Sequence, residues 1–446
     1  MGTSVMKFGL FYLPSIALRE EIEQGMAGQN PVLYQRMLKE IGEQARLADD
    51  AGYDSIGFTE HHFHVEGYEI SNNPVMLDLF VGMQTKRIKV GQLGVVLPAA
   101  SPLRVAEDIA MLDQMTGGRA YVGFARGYQK RAVNILGQQY HVSASASDQS
   151  DVDRINREAY EEFFRIIKLA WTHDVFSFKG TYWQIPPPEG IPWAHDATLR
   201  VGKGQDEHGV VRQIGIAPQC LQKPYPKIYQ PFSFSPETIR WCAHEDIMPI
   251  ILYTDIEKLK KLYKLYQDEA AVAGPNLEYV QPANAHLSAS PMISPVWTHA
   301  AGGRKLAFGE NVGIFRDCVV APTDDEAKEL AAKANGYVWP EWFAPFGFSE
   351  ALRREGEVGP LKIKGDFNDL YDRGFELVGS PDTVCRQIEK LKNELSCRYL
   401  LLWTYNGLIP HDKLMRSIDL FANKVMPRFA EREEASQPAA AIGAHA

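Results

Sequence analysis

Residues 54–63, DSIGFTEHHF, run from a short apolar segment into two adjacent histidines. A helical stretch over about residues 34–51 precedes them, so the apolar segment is predicted to be a strand of a βα repeat. In parallel α/β folds, ligands bind at the carboxyl ends of the strands. Histidine titrates near about pH 6.5 and readily serves as an acid or a base. The segment therefore predicts an α/β fold with a functional site at His61 or His62.

Two other interpretations of the histidine pair compete with catalysis. Paired histidines can bind a metal, but the sequence contains no HExxH or CxxC motif and no third ligand at close spacing, so no metal site is predicted. An imidazole can also be a structural residue, bonded to Glu60 or to a backbone carbonyl. We expect one catalytic and one structural histidine, and two structural histidines are the remaining alternative.

Short β-rich segments alternate with amphipathic helical stretches, which is typical of βα units. The predicted strands are 7–13, 54–59, 88–97, 119–124, 227–233, 248–253, 312–320 and 399–404. Eight such units favour an α/β fold of the (β/α)8 TIM-barrel type over an open doubly wound sheet. An open sheet normally has a glycine-rich first turn, and the first turn at 13–15 has no glycine.

The helical stretches between the strands have recognisable starts. They include 102–115, 153–171, 236–244, 255–273, 325–334 and 411–425. Ser101 before Pro102 and Asp255 before the next helical run are predicted N-caps.

Long insertions interrupt the predicted barrel, which we expect to form a single domain over residues 1–432. They cover about 142–152, 176–226, 275–310 and 340–373, and the second is predicted to contain a hairpin. Loops of this length are typical of lids or binding loops, and peripheral decoration or an oligomer contact is an equal alternative. The low-complexity tail at 433–446 is predicted to be disordered.

The composition excludes several kinds of partner. The chain has 446 residues, a net charge of −9 and dispersed basic residues, so neither nucleic acid nor an anionic membrane is expected to bind. No apolar run approaches the length of about 18 residues that a membrane span needs, and the start does not resemble a signal peptide. Five widely spaced cysteines indicate reduced thiols and a cytoplasmic protein.

An anion site is suggested where the fourth predicted strand ends. Arg126 and Gly127 follow this strand. A guanidinium binds two phosphate oxygens and keeps its charge, and a glycine lets the backbone approach a ligand closely. An arginine that caps a helix or pairs with a carboxylate is the alternative.

A second candidate anion site follows the fifth predicted strand. Ser235 and Thr238 lie at the start of a helix, where hydroxyls and backbone N–H groups can bind an anion. Plain N-capping by Ser235 before Pro236 also explains this pattern. Both segments follow neighbouring strands, so they could bind one phosphate together.

Several segments, in this order and spacing, resemble the bacterial luciferase family of flavin-dependent monooxygenases over most of the chain. They are KFGLF at 7–11, AGYD at 51–54, EHHF at 60–63, VLP at 96–98, PLR at 102–104, ED at 107–108, LDQ at 112–114, GR at 118–119, RG at 126–127, GSP at 379–381 and VMP at 425–427.

The resemblance implies a (β/α)8 barrel that binds reduced FMN at the carboxyl ends of its strands. It implies that His61 is the acid/base, that Arg126, Ser235 and Thr238 bind the flavin phosphate, and that the Leu93–Gly94 peptide bond is cis under the isoalloxazine. Where the light-emitting subunit of luciferase has a cysteine, this chain has Ala125. We include Ala125 among the predicted cofactor-binding residues. Phe234 and Thr254 are further departures, which place light emission and a long-chain aldehyde substrate in doubt.

The resemblance also implies a reaction and its partners. FMNH2 from a separate NAD(P)H:flavin reductase would react with O2 to form a C4a-(hydro)peroxyflavin, which oxygenates a small organic substrate. A water-excluding cover could come from Trp297, Trp339, Trp342, Phe343, Phe346 and Phe348. A homodimer built on helices of the first half is expected. A deazaflavin-dependent dehydrogenase on the same barrel, or a non-catalytic flavin-binding relative, are the alternatives.

Overall fold

A computed structural model describes residues 5–145, 148–274, 303–359, 361 and 366–430. Its strands are β1 (Lys7–Tyr12), β2 (Ser55–Phe58), β3 (Lys89–Gln92), β4 (Val95–Val96), β5 (Ala120–Ala125), β6 (Phe178–Lys179), β7 (Gln184–Ile185), β8 (Ile191–Pro192), β9 (Val210–Val211), β10 (Lys227–Ser233), β11 (Met248–Ile251), β12 (Gly313–Val320), β13 (Glu376–Gly379) and β14 (Tyr399–Thr404). Eight parallel strands form a closed barrel in the order β10-β11-β12-β14-β1-β2-β3-β5. The pairing of β5 with β10 closes the ring, so the predicted TIM-type barrel is confirmed.

All eight predicted strands occur in the barrel, with two differences in detail. The predicted strand 88–97 is divided into β3 and β4 by the peptide bond between Leu93 and Gly94, which is cis. The sequence analysis also omitted β13, which pairs with the carboxyl half of β12. All four residues of β13 are buried, and so short an apolar segment has no periodicity to distinguish it from a loop.

Helices follow most barrel strands. They are α1 (Arg19–Ile22), α2 (Pro31–Ala51), α3 (Pro74–Gly82), α4 (Pro102–Met115), α5 (Lys130–Leu136), α6 (Asp151–Thr172), α7 (Asp196–Val201), α8 (Pro236–Glu245), α9 (Ile256–Val272), α10 (Asp324–Val338), α11 (Phe367–Asp372), α12 (Pro381–Leu395) and α13 (His411–Leu420). The Asp255 side chain caps α9 by accepting the Lys258 N–H at 3.0 Å, as predicted. The predicted cap at Ser101 is wrong, because that side chain makes no capping hydrogen bond to α4.

The insertions contain more regular structure than their sequences indicated. The predicted hairpin in 176–226 is β6 and β7, and a second hairpin, β8 and β9, follows with α7 between its strands. The part of 340–373 that is described begins with helical turns at Trp339–Phe343, Ala344–Phe346 and Phe348–Leu352. We call residues 339–348 the aromatic segment. Residues 275–302, including Trp297, and the tail at 433–446 lie outside the described residues.

Tyrosine side chains fill the amino-terminal end of the barrel. The Ser55 hydroxyl lies 2.6 Å from the Tyr399 hydroxyl, and the Tyr121 and Tyr229 rings pack 4.7 Å apart. Gly9 provides the space, since a Cβ there would lie 2.4 Å from the Tyr399 hydroxyl. Because side chains fill the amino-terminal end of the barrel, a ligand site is expected at the carboxyl end of the strands.

Within the described ranges, no helix has the length and apolar character that a membrane crossing requires. The same residues contain no group of three or more His, Cys, Asp or Glu side chains that could hold a metal ion. All five cysteines are buried free thiols.

Candidate active site

His61 lies at the carboxyl end of the barrel, directly after β2, and its side chain is 10% exposed. Its Nδ1 lies 3.0 Å from the Thr59 Oγ1, and its Nε2 lies 3.4 Å from the Tyr128 hydroxyl. Burial lowers the pKa of His61 to about 3, so the imidazole is neutral at ordinary pH. A neutral imidazole can pass a single proton to or from a bound reactant.

His62 makes contacts of a structural kind. Its Nε2 lies 2.8 Å from the Glu60 Oε1, and the other oxygen of Glu60 accepts the Val96 N–H at 2.7 Å. These two contacts connect the loop after β2 to β4. The partner is the one that the sequence analysis expected for a structural imidazole, and the division of roles between His61 and His62 stays a prediction.

A group of buried polar residues beside His61 was not singled out from the sequence. The His64 Nε2 lies 2.8 Å from the Gln129 Oε1, and the Gln129 Nε2 donates to the Glu69 Oε2 at 2.5 Å. The Glu69 side chain is only 2% exposed, and burial raises the pKa of its carboxyl group. Glu69 belongs to no motif and lies in a polar loop, so only the folded chain shows that it is buried.

An apolar cavity, which we call the inner cavity, lies against His61 and holds about 20 Å³. This is about the space of one water molecule. Its lining residues are Phe11, Leu13, Thr59, His61, Tyr128, Phe232, Leu252, Phe315, Trp339, Phe343, Phe348 and Trp403. Because the aromatic segment supplies part of this wall, a substrate can enter only if some of these side chains move.

A larger cavity of about 490 Å³, the outer cavity, lies on the other side of Tyr128. It is lined by His64, Glu66, Tyr128, Gln129, Lys130, Arg131, Trp342, Pro345 and Phe346. The Tyr128 ring packs edge-on against Phe346 and Phe348, at 5.0 and 4.9 Å between ring centroids. Tyr128 therefore separates a polar outer cavity from the apolar inner cavity.

The cis peptide bond between Leu93 and Gly94 lies at the carboxyl end of β3, beside β2. The Leu93 N–H donates to the Phe58 carbonyl at 2.7 Å. A Cβ at position 94 would lie 2.5 Å from the Gly123 carbonyl oxygen, so only glycine fits there. The bond is cis where the family resemblance implied it.

Arg126 follows β5 and is held by a carboxylate. Its Nη1 donates to the Asp153 Oδ1 at 2.9 Å, and the Ser145 hydroxyl donates to the same oxygen. Burial lowers the pKa of Arg126, and the nearby positive charge of Arg157 lowers it further. Two close guanidinium groups repel each other, and a bound anion would relieve that repulsion.

Ser235 and Thr238 lie at the start of α8, which follows β10, the strand next to β5. The Ser235 hydroxyl accepts the Thr238 N–H at 3.2 Å and donates to the Thr238 Oγ1 at 3.0 Å. The N-capping role expected of Ser235 is therefore present. Both hydroxyls remain at the positively polarised end of a helix of ten residues.

Tyr160 on α6 contacts β10 and α8, the two elements on either side of Ser235. Its hydroxyl donates to the Gln230 Oε1 on β10 at 2.5 Å, and its ring packs 6.3 Å from Trp241 on α8. Burial raises the pKa of Tyr160, and the charge of Arg126 opposes that rise. Because β5 and β10 are paired, Arg126 and the start of α8 follow neighbouring strands at the carboxyl end of the barrel.

The chain is similar to known proteins in sequence and in fold. The family model described as luciferase-like monooxygenase matches residues 6–396. The alkanal monooxygenase alpha chain of Photorhabdus luminescens is 30% identical over 404 residues, covering 89% of this chain and 93% of that protein. The FMNH(2)-dependent dimethylsulfone monooxygenase of Pseudomonas putida is 23% identical over 418 residues, covering 92% of this chain and 91% of that protein.

The fold is similar to that of one solved structure over nearly the whole chain. That structure is the oxygenating constituent of 3,6-diketocamphane monooxygenase from Pseudomonas putida, a type II Baeyer-Villiger monooxygenase in complex with FMN. It has a TM-score of 0.65 and 22% identity, and the match covers 95% of this chain and 98% of that chain.

Proposed function

The chain belongs to the luciferase-like monooxygenase family, and from this premise we propose that it uses reduced FMN and O2 to oxygenate a small organic substrate. One observation carries the proposal: His61, the inner cavity and the Leu93–Gly94 cis peptide bond lie together at the carboxyl end of the barrel. Reduced FMN would supply the electrons that activate O2. The protein would bind the flavin, exclude water and move protons.

The residues present fit the phosphate of FMN. Arg126 supplies a charged donor, and Ser235 and Thr238 supply hydroxyls beside the N-terminus of α8. This combination of guanidinium, hydroxyl and helix N-terminus suits a phosphate dianion. We therefore assign the phosphate to these three residues, and the flavin ring to the region of Leu93, Gly94 and Ala125.

The walls of the inner cavity suit oxygen chemistry. Aromatic side chains exclude water, and water would destroy a reactive oxygen adduct. Trp339, Phe343 and Phe348 of the aromatic segment form part of that wall, and the Phe343 and Trp403 rings pack 5.2 Å apart. We assign the aromatic segment to the lid that the sequence analysis expected over this end of the barrel. His61 would be the acid/base.

Reduced flavin is assigned to a partner enzyme. The dimethylsulfone monooxygenase relative depends on FMNH2 by name, and we propose that this chain likewise receives FMNH2 from a separate NAD(P)H:flavin reductase. The cytoplasm, where such reductases and reduced thiols occur, is the proposed location.

A second copy of the chain is the proposed partner of an exposed apolar face, which we call the methionine face. It consists of Met76 and Phe80 on α3, Met83 directly after α3, and Met111 and Met115 on the neighbouring α4, with exposures of 68, 36, 66, 48 and 51%. Contiguous exposed apolar residues of this kind mark interaction sites. Light scattering should show a dimer for the wild type and a monomer for Met83→Glu, whereas a wild-type monomer would contradict the proposal.

Cofactor titrations test the proposed function. We expect FMN to bind more tightly than riboflavin, because riboflavin has no phosphate for Arg126, Ser235 and Thr238 to bind. We also expect FMN to bind more tightly than a deazaflavin cofactor. With an added flavin reductase, NADH and ¹⁸O2, we expect one labelled oxygen in the product. The substrates to test are the compounds in the printed names of its relatives: 3,6-diketocamphane, dimethyl sulfone and an alkanal. Tight deazaflavin binding with anaerobic hydride transfer, and no affinity for FMN, would instead identify a dehydrogenase.

A further inference from the structure

Glu69 is a buried carboxylate between the inner and outer cavities, and the proposed function assigns it no role. Its Oε1 lies 3.3 Å from the Tyr128 hydroxyl and 3.9 Å from the His61 Nε2. Its Oε2 lies 3.5 Å from the His64 Nδ1 and accepts from the Gln129 Nε2 at 2.5 Å. A nearly unexposed carboxylate is costly unless its surroundings compensate the charge or a proton neutralises it.

The contacts of Gln129 determine how many protons Glu69 and His64 hold together. With its NH2 group facing Glu69, the amide oxygen accepts the Nε2–H of His64, so a neutral His64 has a bare Nδ1. That buried Nδ1 has no hydrogen-bond partner, and it faces a carboxylate oxygen at 3.5 Å. Two lone pairs in this position repel each other, so a proton is needed on His64 or on Glu69.

The opposite orientation of the Gln129 amide requires the same number of protons on Glu69 and His64. Its oxygen would then lie 2.5 Å from the Glu69 Oε2, a contact that requires a proton on Glu69. In either orientation, Glu69 and His64 together hold one proton more than a carboxylate and a neutral imidazole. The pair thus stores a proton without carrying a net charge.

The positions of the two cavities indicate where that proton can go. His64 lines the outer cavity, His61 lines the inner cavity, and Tyr128 lines both. We propose that Glu69 and His64 form a proton reservoir for His61, with the Tyr128 hydroxyl as the relay. The proposal rests on the proposed function, because it supposes that His61 gives up a proton in the inner cavity.

The transfers balance as proton movements alone. When His61 gives its Nε2 proton to the reacting group, the Tyr128 O–H bond breaks and a new N–H bond forms on His61. The stored proton lies at the Glu69 Oε2, so the carboxyl group turns to bring it to the Tyr128 oxygen, and its transfer leaves a carboxylate and a neutral His64. Water in the outer cavity then returns one proton to His64, which requires the ring to turn, because Gln129 holds the Nε2 and the Nδ1 is buried against Glu69. Each proton that leaves through His61 is replaced by one from solvent, and no group is oxidised or reduced.

Histidine NMR on the flavin-free protein tests the reservoir without any turnover. In the wild type, the His64 ring nitrogens and the Glu69 carboxyl carbon should titrate together. Glu69→Gln should lower the midpoint of the His64 titration by about one pH unit or more, because a nearby carboxylate favours the imidazolium. Glu329→Gln is the matched control: this exposed carboxylate on α10 pairs with Lys333 at 2.6 Å, and its loss should leave the His64 titration in place.

Steady-state kinetics test the relay. Tyr128→Phe should retain the joint titration but lower kcat by about 10-fold or more, with FMN affinity unchanged. The upper limit of the loss is the contribution of a general acid–base group, about 10²–10⁴-fold. The solvent deuterium isotope effect of Tyr128→Phe should exceed that of the wild type. Independent titration of His64 and Glu69 in the wild type would overturn the reservoir, and normal kcat in both Tyr128→Phe and Glu69→Gln would overturn the relay. If the wild type shows no flavin-dependent oxygenation but the joint titration persists, the proposed function fails and the stored proton stands.

Discussion

Replacing Arg126 with alanine tests the phosphate site most directly. The guanidinium is 15% exposed, so a phosphate bound to it would be shielded from water on one side. Asp153 already accepts from its Nη1, and we therefore count only one charge-assisted hydrogen bond to the phosphate. Such a bond contributes about 1.5–3 kcal/mol, which corresponds to a loss of about 10- to 150-fold in FMN affinity.

The comparison of FMN with riboflavin separates the phosphate from the ring. Riboflavin has no phosphate, so Arg126→Ala should change its affinity by less than about 3-fold, an energy below that of a typical hydrogen bond. Quenching of flavin fluorescence measures both affinities. Arg154→Ala is the matched control, because Arg154 lies on the same helix as Asp153 but pairs with Glu158 on the exposed surface.

Two results would refute the reasoning. Equal affinities for FMN and riboflavin in the wild type would show that no phosphate site exists. An equal loss of both affinities in Arg126→Ala would show that the side chain supports the fold around Asp153 instead. A thermal melt of Arg126→Ala distinguishes that outcome, since loss of a buried ion-pair partner destabilises the protein.

The remaining predictions concern the Thr238 hydroxyl as a ligand of the phosphate, the two histidines His61 and His62, and the carboxylate of Asp49. Thr238→Val should weaken FMN binding by about 0.5–1.5 kcal/mol in the same titration, and an unchanged affinity would remove Thr238 from the site. His61→Ala should lower kcat by about 10²–10⁴-fold with FMN affinity retained, whereas His62→Ala should mainly lower the melting temperature; normal turnover by His61→Ala would make His61 structural. Burial raises the pKa of Asp49, but backbone N–H donors from Lys86, Ile88 and Arg87 outweigh this and leave the pKa below its usual value. Asp49→Asn should therefore lower the free energy of unfolding by about 1–3 kcal/mol at pH 7 in urea titrations. That difference should shrink as the pH falls through the depressed pKa, and a difference independent of pH would contradict the assignment.

Strand prediction succeeded where a strand is long or where its neighbours repeat the same pattern. The segments at 227–233 and 399–404 are β-rich over their whole length, and the structure forms β10 and β14 at the same residues. The short strand β13 was missed because four buried residues have no measurable period. The second hairpin, β8 and β9, was missed because its strands have two residues each and are paired across a long loop.

Local sequence also misjudged one cap and several insertions. Ser101 precedes a proline in the expected way, yet its hydroxyl does not bond to the helix. The aromatic segment contains proline and glycine, which indicated a loop, but packing against the barrel mouth holds it in helical turns. In both places tertiary contacts outweighed a local preference.

The sequence by itself determined the barrel and the place of His61, Arg126, Ser235 and Thr238 after particular strands, because strand period and the sequence of strands along the chain are local properties. The family followed from the resemblance of its motifs. Only the tertiary structure decided which side chains meet at the barrel mouth. Glu69, His64 and Gln129 come from separate segments, and no spacing in the sequence relates 69 to 129. Their protonation also depends on burial, and burial is a property of the whole packed molecule, since the solvent that would stabilise a charge is excluded by residues distant in the chain.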